Sequence, residues 1–87
     1  HIHFKDLRSN IFKNLNFKET SFLKAVLSGV FTVPGDGCID FEVISSVIIK
    51  SEYSGWIIVE AEQDPAIANP LEYAMQSKEY LNKIWGN

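Results

Sequence analysis

The chain has 87 residues, of which 46% are hydrophobic, 22% charged and 13% aromatic, with a formal net charge of −3. These proportions are those of one soluble globular domain and exclude a disordered tail or a two-domain protein. The acidic balance argues against a nucleic-acid partner, and no apolar run approaches the ~20 residues needed to cross a bilayer.

Residues His1 to Lys5 are apolar and aromatic with no helical continuation, and predict a strand ending near Asp6. The chain opens on His1 inside this strand, which points to a part of a longer protein. Arg8 to Lys18 is polar with scattered Ile11, Phe12, Leu15 and Phe17, and predicts a short helix. A second helix is predicted over Phe22 to Leu27, capped by Thr20 or Ser21 and ended by Gly29. Val30 to Val33 is β-branched and aromatic and reads as a strand. Pro34-Gly35-Asp36-Gly37 then turns the chain, since proline fixes φ and glycine tolerates positive φ.

Asp40 predicts an N-cap for a helix over Phe41 to about Lys50, with an apolar stripe of Phe41, Ile44, Val47 and Ile48. Trp56 to Val59 is a continuous apolar run of the kind found in parallel strands covered on both faces. Asn69 caps a last helix with Pro70 at its first position, running to about Trp85. Leu71, Ala74, Met75, Leu81 and Ile84 form its apolar side. The order β, α, β, α, β, α predicts an α/β fold of βαβ units on a parallel sheet, and residues 1–87 read as part of a single domain.

In such folds the reactive residues gather at the carboxyl ends of the strands. Alternate strand residues share a face, so His1, His3 and Lys5 point one way, and so do Glu60 and Glu62. Each group also has a structural reading. A strand histidine is often a hydrogen-bonded rim residue, and Glu60 can simply emerge into solvent after four apolar residues. Lys5 and Asp6 suit a rim ion pair of little energetic weight. Gly35 and Gly37 are turn residues first, because no Gly-Lys-Ser/Thr follows to make a phosphate loop. Cys38 has no second cysteine, which excludes an internal disulfide, fits a reducing, cytoplasmic compartment and gives no support to structural zinc. A His and a Glu at neighbouring strand ends suit a borderline divalent ion such as Mn²⁺ or Co²⁺. Two ligands are too few for a catalytic centre, and His1 or Glu62 is the nearest third donor.

Four segments carry a family resemblance: His3-Phe4-Lys5-Asp6, Val33 to Phe41 (Val-Pro-Gly-Asp-Gly-Cys-Ile-Asp-Phe), Gly55-Trp56, and Val59 to Pro65 followed by Asn69 to Ala74. Together they resemble the carboxyl-terminal third of the inosose dehydratases, lyases of the xylose-isomerase-like TIM-barrel superfamily. The resemblance covers nearly the whole chain. It implies the last three βα units of a (β/α)8 barrel, with His1 to Lys5, Val30 to Val33 and Trp56 to Glu60 as strands six, seven and eight. It implies His3 and Glu60 as two of four ligands to a divalent metal, with the other two on absent strands. Lys5 and Arg8 would meet substrate hydroxyls at the rim, and Glu62 is the candidate general base. The implied reaction is dehydration of the cyclic polyol ketone 2-keto-myo-inositol (scyllo-inosose) to a trihydroxycyclohexane dione, in inositol catabolism.

Two other functions fit the same residues. An isomerase or epimerase of the same superfamily would share the metal pair and release no water. A truncated product would be inactive unless several chains assembled one barrel as a homo-oligomer.

Overall fold

In the computed structural model residues 1–16 and 18–86 are described, and Phe17 of the first predicted helix lies outside them. The elements in chain order are β1 (Ile2–Phe4), β2 (Asp6–Leu7), α1 (Ser9–Phe12), α2 (Phe22–Leu27), β3 (Phe31–Thr32), α3 (Phe41–Lys50), β4 (Ile57–Val59) and α4 (Pro70–Trp85).

The helix ends are set by local caps. The Ser21 hydroxyl accepts the Lys24 amide and starts α2. The Asp40 carboxylate accepts the Glu42 and Val43 amides and starts α3. The Asn69 side chain accepts the Leu71 and Glu72 amides, with Pro70 in the first turn of α4. These bonds satisfy amides that have no partner within the helix. Gly86 ends α4 in the left-handed conformation, at φ 78°.

The strands pair differently from the expected order. β1 and β4 are parallel neighbours, in the register Ile2↔Ile57, His3↔Ile58 and Phe4↔Val59. The Ile2 amide donates to the Trp56 carbonyl at 3.2 Å, and the Glu60 amide to the Phe4 carbonyl at 3.1 Å. β3 does not lie between them. It pairs antiparallel with β2 as a separate two-stranded ribbon, Asp6↔Thr32 and Leu7↔Phe31. The three consecutive parallel strands predicted for residues 1–5, 30–33 and 56–60 are therefore two parallel strands and a ribbon. The cause is that β2 and its flanks take up the backbone groups of β3. Beyond the ladder itself, the Arg8 amide donates to the Val30 carbonyl at 2.8 Å.

β1 alternates across the sheet. Phe4 is buried, and its ring lies 4.8 Å from that of Phe41 at the start of α3. With Val30, Val33 and Ala68 these two rings form the apolar core. The face of α3 that packs carries Phe41 and Ser45, which are buried, and Ile48, which is half-buried. The predicted stripe is thus turned by about one residue: Ile44 is exposed, and so is Val47 at 63%. Ser45 is fully buried on this face. On α4 only Ser77 is buried, and Leu71 and Met75 of its predicted apolar side are exposed. A groove of about 470 Å³ separates α4 from β4, lined among others by Ile57, Val59, Tyr73 and Leu81.

β4 was expected to be covered on both faces. Its Ile57 and Val59 side is half-buried, but Ile58 is exposed, and Trp56 just before the strand is 70% exposed. The helices cover one side of the β1–β4 pair, and among the described residues the other side is open. No helix among these residues is long and apolar enough to cross a membrane.

Candidate functional site

The open face is where the sequence places its chemistry. His3 stands opposite Phe4 in the β1 alternation, so it projects away from the core. Parallel partners project to the same side, which puts Ile58 beside His3 and Glu60 one step further along β4. The bond from the Glu60 amide to the Phe4 carbonyl pins the end of β4 to β1. His3 Nδ1 and Glu60 Oε1 meet at 3.0 Å, with side chains 49% and 41% exposed. Residues 57 apart in the chain are brought together because β1 and β4 are direct neighbours.

Lys5 joins them. Its Nζ lies 2.7 Å from Glu62 Oε1 and 3.7 Å from Glu60 Oε1. The Glu62 hydrogen bond raises the Lys5 ammonium above its ordinary pKa, and the same bond outweighs desolvation to hold Glu62 below its own. The expected Lys5–Asp6 rim pair is not formed. Neighbouring residues point to opposite sides, and Asp6 is fully buried. Its Oδ1 accepts the Leu7 amide at 2.7 Å and the Ile39 amide at 3.0 Å. A side chain at Gly37 would collide with this carboxylate and with the Leu7 carbonyl. Gly37 thus serves close approach, while Gly35 is the turn glycine with positive φ, at 95°.

The metal that the resemblance implies can be tested against these donors. Two ligands side by side on one ion, with bonds of about 2.1 Å, stand about 3 Å apart. His3 and Glu60 are directly hydrogen-bonded at 3.0 Å, so the same two atoms already stand at that spacing, and an imidazole with a carboxylate suits Mn²⁺ or Co²⁺. Among the described residues no three His, Cys, Asp or Glu side chains converge on one point. Neither Glu62 nor the exposed His1 completes a triad with the pair.

Arg8 lies in a second cluster. Its Nη1 donates to the Gly29 carbonyl at 2.7 Å, and its Nη2 to Asp36 Oδ2 at 2.8 Å and the Tyr73 hydroxyl at 3.1 Å. Asp36 also accepts the Thr32 hydroxyl at 2.7 Å. Burial raises the Asp36 carboxyl, but the Thr32 and Arg8 bonds outweigh it and leave the pKa lowered. These contacts tie the β2–β3 ribbon to α4. Sequence reasoning took Asp36 for a turn residue and did not single out Thr32 or Tyr73. The one signal was an acid between two glycines after β3.

No protein-family model matches the chain. Three curated relatives, each called inosose dehydratase, align with nearly all of it. The Clostridium beijerinckii protein is 52% identical over 86 residues, 99% of this chain and 29% of the relative. The Halalkalibacterium halodurans protein is 53% identical over 83 residues, 95% of the chain and 27% of the relative. The Bacillus velezensis protein is 51% identical over 82 residues, 94% of the chain and 28% of the relative. The chain therefore spans a little over a quarter of the length of the relatives it matches. By sequence it is similar to the inosose dehydratases over almost all of its own residues.

Proposed function

We propose that this chain supplies part of the active site of an inosose dehydratase, a lyase that removes water from 2-keto-myo-inositol to give a trihydroxycyclohexane dione. The observation that carries the proposal is the convergence of His3 and Glu60 from adjacent parallel strands onto one open face. The two side chains would hold a divalent ion, Mn²⁺ or Co²⁺, together with ligands from the rest of the enzyme. When bound, such an ion polarises the substrate carbonyl and makes the neighbouring C–H more acidic. Dehydration also needs a base for that proton and an acid for the departing hydroxyl. Lys5 and Glu62 are the charged groups of this chain placed beside the pair. The parent enzyme is read as a cytoplasmic TIM barrel, in which β1 and β4 would be neighbouring strands. That placement replaces the sixth and eighth positions expected from the sequence.

The test is a hybrid enzyme in which these 87 residues replace the matched span of the Clostridium beijerinckii relative. With Mn²⁺ or Co²⁺ and inosose it should yield a product lighter by one water. A product of unchanged mass would indicate an isomerase or epimerase. No turnover, with the relative itself active under the same conditions, would mean that the segment is inactive.

A further inference from the structure

The four charged or titratable side chains on the open face separate by distance. Lys5 makes its short contact, 2.7 Å, with Glu62 and stands 3.7 Å from Glu60. Glu60 makes its short contact, 3.0 Å, with His3. The result is a compensated Lys5–Glu62 couple beside a His3–Glu60 donor pair. A base for the substrate needs a carboxylate oxygen free on the substrate side. Glu62 Oε1 is engaged by the ammonium, and Glu62 Oε2 is buried. Lys5 is the more exposed partner, with 43% of its side chain accessible against 33% for Glu62. An ammonium has three donors, so one bond to Glu62 leaves two for the oxygens of a polyol ketone.

Resting on the dehydratase reading above, we propose that Glu62 is a positioning residue: it holds the Lys5 ammonium over the open face, and Lys5, in place of Glu62, meets a substrate oxygen. Glu62 is then not the general base, which comes from elsewhere in the complete enzyme. Glu62 draws the ammonium nearer to itself, at 2.7 Å, than to Glu60, which stays within ion-pair range at 3.7 Å.

The test uses Glu62→Gln, Lys5→Met and the double variant, with two readouts. The first is competitive acetylation followed by mass spectrometry on the hybrid enzyme, which needs no turnover. Loss of the Glu62 contact should raise labelling of Lys5 several-fold relative to Lys50 and Lys78 in the same molecule. Unchanged relative labelling overturns the proposal. The second is steady-state kinetics in the hybrid enzyme. Each single variant should raise KM for inosose, the double variant should be no worse than Lys5→Met, and Glu62→Asp should recover part of the loss. Additive losses overturn the proposal. So does a fall in kcat of about a hundredfold or more for Glu62→Gln with KM unchanged, the mark of a general base. If the hybrid converts no inosose, the dehydratase reading fails, while the labelling still decides whether Glu62 holds Lys5.

Discussion

The fully buried carboxylate of Asp6 is tied to the backbone 33 positions away, at Ile39. No sequence pattern gives such a pairing, because the ribbon and the turn that create it are both non-local. His3 and Glu60 were each legible as outward residues at strand ends, but their contact depends on the β1–β4 adjacency, which the predicted strand order did not contain. Two outcomes follow at this scale. Gly37→Ala should destabilise the fold by about 1–3 kcal/mol, because a methyl group there meets the Asp6 carboxylate and the Leu7 carbonyl. Urea unfolding of the wild type and variant measures it, and equal midpoints would contradict it. The second concerns Asp36, whose carboxyl lies below its ordinary value of 3.8 when folded. The folded state binds this proton less readily than the unfolded state does. The stabilisation is therefore complete above 3.8 and is lost as pH falls through the lower folded pKa. Asp36→Asn should flatten the acid limb of stability in that window, read by tryptophan fluorescence against pH. An unchanged limb would mean that the Arg8 and Thr32 bonds do not outlast the desolvation they oppose.

At the scale of elements, α2, α3 and α4 were legible, the helix expected over Arg8 to Lys18 is only Ser9–Phe12, and the strand pairing was not legible. Helix α3 starts at Phe41 and α4 at Pro70, where Asp40 and Asn69 place them, because capping is a contact between residues two or three apart. A β-branched run such as Val30 to Val33 declares a strand but not its partner. The backbone groups of residues 6–8 were nearer claimants than the parallel sheet. The stripe of α3 was misplaced for a related reason: periodicity located Phe41, but hydropathy passed over Ser45, a polar residue that is fully buried. This sets a contrast between two substitutions on one helix. Phe41→Ala removes a ring packed on Phe4 and should cost about 3–5 kcal/mol. Val47→Glu alters a residue 63% exposed and should stay within about 0.5 kcal/mol. Comparable losses for the two, measured by denaturant unfolding, would place Val47 in the packed face after all.

The molecule as a whole exposes more surface than its mass calls for. A folded monomer of 9.9 kDa is expected to show about 5,200 Å², and this chain shows 6236 Å². Its radius of gyration is 14.0 Å, where about 12 Å is usual for this length. The surplus of about 1,000 Å² is comparable to one partner's share of a standard protein interface. Its sources are visible: one side of the β1–β4 pair is uncovered, Leu71 and Met75 of α4 face outward, and a 470 Å³ groove runs beside β4. In a two-stranded parallel sheet each strand also keeps one unpaired edge, which templates further pairing. So small a core gives the isolated 87-residue chain little to set against these exposed groups. The chain should therefore self-associate, and sedimentation velocity over a hundredfold range of concentration should show a rising average mass. Mixing it with the remaining segment of the Clostridium beijerinckii relative should suppress that association, because the covering strands and helices would occupy the same surfaces. A dilute monomer with a sharp, concentration-independent melt would show instead that the 87-residue fold stands without them.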